Sequence, residues 1–207
     1  MNRKLLLPSA LAAVLALAAC DKGVTGPAAS ELTADDVQAL ASATGDQDGA
    51  FLDGFAGPSF NKVAAGPQFA TTVTTTFTRT RTCPTGGDVK LEGTVTHTAD
   101  PATQSGSTAF NATRTENACA FNHNGGTITI TGNPNTKLTA NQSMTNGVRG
   151  VRTATKVGSF SWSRGNGKSG TCNVNVTATW DPATHTLHVT GTFCNRTVDV
   201  TRTWAQS

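Results

Sequence analysis

From residue 68 onward the chain alternates. In QFATTVTTTFTRTRTC, residues 68–83, the odd positions Phe69, Val73 and Phe77 are separated by Thr72, Thr74, Thr76 and Thr78. A period of two held over this length, dense in threonine, specifies a half-buried strand, because successive side chains leave opposite faces of the backbone. The pattern returns in DVKLEGTVTH, where Val89, Leu91 and Val95 face one way and Lys90, Glu92 and Thr94 the other. It continues through STAFNATRT, GTITITG, TKLTANQSM, VRGVRTATKV, SFSWS, TCNVNVTATW, HTLHVTGTF and TVDVTRTW.

Turn signals punctuate these runs: PTGGD, ADPATQSG, HNGG, GNPN, RGNGKSG, DPAT and CNR. Strands joined by such short connections are antiparallel neighbours, so the expected fold is all-β, a meander of about nine strands. Each strand has one apolar and one threonine-rich face, and the apolar face has to be covered. Closing or strongly curving the sheet does this and protects its edges, so a barrel or strongly curved sheet is expected ahead of a β-sandwich.

The first twenty residues are of another kind. Arg3 and Lys4 precede a Leu/Ala-rich run from Leu5 to Ala19. The run is shorter than the roughly 20 residues of a spanning helix and has the layout of an export signal. It ends in Leu17-Ala18-Ala19-Cys20. This tetrad resembles the lipobox of bacterial lipoproteins. The resemblance covers only these residues. It implies removal of residues 1–19, lipidation of Cys20, and a cell-envelope location on the periplasmic or extracellular side of a membrane. Two or more acyl chains hold a protein on a bilayer where one does not.

Export also frames the remaining cysteines, Cys83, Cys119, Cys172 and Cys194. An even number in an oxidising compartment points to two disulfides, and sequence alone permits three connectivities. Cys83–Cys119 and Cys172–Cys194 are preferred, since each links neighbouring strands. The wide spacing and the lack of C-x-x-C disfavour zinc.

Between Cys20 and residue 67 lies an acidic segment, 20–67, read as a flexible tether with a short helix at 34–44. Thr33 can cap that helix and Asp36 completes an acidic variant of the capping box. Leu32 and Val37 have staple spacing, and Gly45 is the expected stop. In DQDG, residues 46–49, the glycine falls at the wrong position for an EF-hand loop, and the twelfth position is Gly57 rather than glutamate. Charge is divided unevenly. Seven acids face Lys22 and Lys62 in residues 20–67, whereas residues 68–207 carry twelve Lys/Arg and six acids. Three readings fit: a basic domain for anionic envelope polymers, an acidic tether resting on a basic domain, and an ordinary solvated surface. Nucleic acid is a poor partner for an exported chain with singly scattered basic residues. Candidate anion-binding residues are Arg79, Arg81, Arg149 and Arg152.

No motif specifies a catalytic site or a cofactor. GNGKSGT at 165–171 lacks the first glycine of a phosphate loop, because position 162 is Trp, and a strand follows where a helix is needed. It reads as a hairpin turn. His185 and His188, three apart on an expected strand, point to opposite faces. His97 shares the inward parity of Val95 and is expected to be a hydrogen-bonded interior residue. The expectation is a non-enzymatic structural or binding module, with a lipocalin-like carrier of a small apolar ligand as the alternative.

Overall fold

The computed structural model describes residues 32–55, 70–132 and 135–203. The lipobox with Cys20, the 1–19 signal and Phe69 lie outside these residues. Among the described residues one helix, α1 (Ala34–Asp53), precedes ten strands: β1 (Thr71–Thr82), β2 (Asp88–Asp100), β3 (Ser105–Asn117), β4 (Cys119–His123), β5 (Gly126–Thr131), β6 (Thr136–Thr145), β7 (Val148–Arg164), β8 (Ser169–Asp181), β9 (Thr186–Phe193) and β10 (Arg196–Thr203).

All strands belong to one antiparallel sheet, ordered β1-β2-β3-β6-β7-β8-β9-β10, with the β4–β5 hairpin attached through β5 to β7. The meander is thus interrupted once. β7 is long enough to pair with β6 along its first part and with β5 at its end. Gly158 marks the change of partner, at φ +147°, where an added Cβ would stand 2.8 Å from the Thr136 backbone. Only glycine adopts that backbone without strain. The sheet is strongly curved and does not close into a barrel: β1 and β10 remain its two ends.

The expected two-faced strands follow from the register. One outward row crosses eight strands as Thr76, Thr94, Asn111, Thr139, Thr155, Thr177, Thr190 and Asp199. The inward row beside it reads Thr75, Val95, Phe110, Ala140, Ala154, Ala178, Val189 and Val200. The central alanines leave a trough, and α1 occupies it, burying Val37, Leu40, Ala41, Phe51 and Leu52. The void left beneath the helix is about 10 Å³, room for one water at most.

The helix begins as expected and ends differently. Thr33 and Asp36 form a reciprocal capping box. Gly45 does not stop the helix, which runs to Asp53, so DQDG is helical and residues 46–53 are not coil. Gly45 and Gly49 serve as contact points: a Cβ on Gly45 would meet Val189 at 3.2 Å, and one on Gly49 would meet the Trp180 indole at 2.6 Å. Close approach to the sheet outweighs their low helix propensity.

Two cysteine pairs lie at disulfide distance, Cys83 with Cys119 and Cys172 with Cys194. Cys172–Cys194 joins β8 to the β9–β10 turn. Cys83–Cys119 ties the β1–β2 turn to β4, where Ala120 N–H also donates to the Gly86 carbonyl at 2.8 Å. The GNGKSGT segment is the β7–β8 hairpin turn, with Gly167 at φ +83°.

Candidate functional site

The acids of α1 meet the bases of the sheet one by one. At the N-terminal end Asp36 pairs with Arg164, and Asp35 with His123 at 3.0 Å. Burial raises the Asp36 pKa, but the Thr33 hydroxyl and amide together with Arg164 bring it below the ordinary value. In the middle, Asp48 receives Arg114 Nε at 2.9 Å and Lys156 Nζ at 3.1 Å, all three side chains being almost fully buried. Arg114 also binds Glu116 and donates to the Gln47 amide oxygen at 2.8 Å. Burial pushes the Lys156 pKa down to about 8, with Asp48 opposing the shift; Arg114 is lowered by burial as well. Asp46 takes Arg202 at 2.5 Å, and Asp53 takes Arg152 at 2.7 Å.

Where the helix approaches its end, the trough opens into a cleft of about 410 Å³. One wall is apolar: Trp180 from β8, Pro182 from the β8–β9 turn and Leu187 from β9. Polar groups around it are Asp46 and Asp53 from α1, Gln142 from β6, Arg149 and Arg152 from β7, and His185. His185 belongs to the turn before β9, at φ 53°, not to a strand; His188 on the outer face binds Asp199 at 2.8 Å.

The four candidate arginines separate into two groups. Arg79 and Arg81 lie on the end strand β1, where Arg79 stacks over the Phe55 ring at 3.8 Å and Arg81 stands 5.7 Å from Phe51. Arg149 and Arg152 lie on β7 and share the cleft, with β2, β3 and β6 between the groups. Their states differ. Arg152 is buried and held by Asp53 and Gln142. Arg149 is exposed and has no ion pair among the described residues.

His97 is half-buried, its Nδ1 3.0 Å from the Thr108 hydroxyl, and burial lowers its pKa. Among the described residues no group of three or more His, Cys, Asp or Glu is placed to hold a metal ion. Sequence reasoning missed Gln142, Trp180, Pro182, His185 and Leu187, which converge only through sheet pairing. It also missed Asp46 and Asp53, although their seven-residue spacing places them on one face of a helix that continues past Gly45.

No known protein family, curated protein or solved structure matches this chain.

Proposed function

We propose that this chain is a lipid-anchored cell-envelope protein, non-enzymatic, that binds an anionic group of an envelope polymer at the cleft beside the end of α1. The observation that carries this reading is Arg149. The other cleft arginine is neutralised from within the fold by Asp53, whereas Arg149 lines the cleft, exposed and without an ion pair among the described residues. A guanidinium in that position is suited to a paired hydrogen bond with a carboxylate or similar anion. A small pocket with an apolar wall and a few convergent polar groups is the usual form of a ligand site.

The choice of a binder over an apolar carrier follows from packing. A carrier needs an open apolar interior, and here α1 fills the concave face. The anchor rests on the Leu17-Ala18-Ala19-Cys20 tetrad alone. Two measurements test the proposal. Cys20→Ser should move the protein from the membrane to the soluble fraction, and unchanged fractionation would refute the anchor. Binding to acidic envelope polysaccharide should weaken with rising salt and with Arg149→Ala; binding insensitive to both would remove the anionic partner.

A further inference from the structure

The charge inventory of the cleft narrows what the anion can be, and this step rests on the reading of Arg149 as its anchor. Of the charged lining residues, Arg152 is satisfied by Asp53 and Asp46 by Arg202. Arg149 is the arginine left over. The lining therefore presents one guanidinium with no ion pair among the described residues, beside two carboxylates that arginines already hold, and His185. A phosphate dianion or a densely charged polymer segment brought to Arg149 would find only this one unpaired guanidinium for its several charges. A single carboxylate would not need more than the one cation.

The remaining surfaces fit a hydroxylated ring. Asp53 and Gln142 line the cleft. Asp53 Oδ1 and Gln142 Oε1 accept from Arg152, and Gln142 Nε2 donates to the Gly150 carbonyl. They still have Asp53 Oδ2 as an acceptor and the second amide hydrogen of Gln142 as a donor. Trp180, Pro182 and Leu187 supply apolar lining, against which the C–H face of a sugar can lie. The volume, about 410 Å³, lies near the lower end of ordinary small-ligand pockets and suits a ligand of one or two rings. We infer that the cleft recognises a uronic acid, a sugar ring bearing one carboxylate, with the carboxylate on Arg149, the hydroxyls toward Asp53 and Gln142, and the ring against Trp180.

Calorimetric titration of the purified full chain with glucuronate, an oligomer of glucuronate, glucose, glucose 6-phosphate and inorganic phosphate tests this. Glucuronate should bind, glucose should bind weaker by on the order of tenfold, and Arg149→Ala should abolish that difference. Because Arg149 is exposed, the variant should fold; Arg149→Lys, which keeps the charge without the fork, should recover only part of the affinity. Tighter binding of the oligomer than of the monosaccharide would assign the site to a polymer, and equal binding to a free sugar acid or a chain end. Glucose 6-phosphate or phosphate binding as well as glucuronate would overturn the uronic acid while leaving the anion site standing. Glucose binding as well as glucuronate, or no binding by any of the anions, would overturn both.

Discussion

Asp48 is the residue on which the helix–sheet contact turns. It faces two cations, Arg114 and Lys156, in a place almost closed to water. Breaking a buried pair by removing one partner leaves an uncompensated charge, at about 3–5 kcal/mol. Asp48→Ala should therefore lower unfolding stability by about that amount in a denaturant titration. Lys156 adds a pH signature. Its folded pKa, about 8, lies below the ordinary 10.5. Between those values the unfolded chain holds a proton that the folded chain has released, so this group's contribution to stability rises with pH across the window. The stability difference between the wild-type protein and Lys156→Met should shift in favour of the wild type from about pH 8 toward pH 10, measured by urea titration at each pH. A flat difference would mean that Lys156 is not buried as a cation. Gly49 offers a test by opposition of sign. In an exposed helix Gly→Ala gains up to about 1 kcal/mol, but here the new methyl enters the Trp180 ring and overpacking costs about 1–3 kcal/mol. Gly49→Ala should destabilise.

At the scale of elements, α1 shows why a sequence reading stops short. Its start is local: Thr33, Asp36 and Leu32 are neighbours in the chain, and capping was legible from them. Its end is not local, because Gly45 stops a solvated helix but permits a packed one. The Thr33 cap remains a local device, and Thr33→Ala should cost about 1 kcal/mol. The strands were legible because alternation is the direct imprint of a sheet with one wet face. What pattern could not supply was partner choice, as in β7, which pairs with β6 and then β5 around Gly158. The two cysteine pairs close segments of 36 and 22 residues. Losing either should cost about 3 kcal/mol, read as a lowered denaturation midpoint in reductant.

Over the whole molecule, the uneven charge has an internal explanation. The acids of α1 that lie within the described residues are largely met by bases of the sheet, so the imbalance between segments is in large part a docking code. The Lys and Arg of the sheet that do not meet an α1 acid include Arg149 at the cleft. The four arginines named from sequence as candidate anion-binding residues are separated by the fold, through burial and pairing, into one held residue, Arg152, one open one, Arg149, and two over aromatic rings, Arg79 and Arg81. No rule of spacing distinguishes these fates, since each depends on which acid or ring the helix brings opposite.

The sequence by itself determined the two-faced strands, their antiparallel succession, the outward threonine rows and the helix cap, because each follows from the geometry of residues a few positions apart. Tertiary structure alone decided that the sheet stays open around α1, that two glycines become contact points, and that Trp180, Arg149 and Asp53 border one cleft. The reason is distance along the chain: those relations join residues that meet only after the strands have paired and the helix has settled into the trough of alanines.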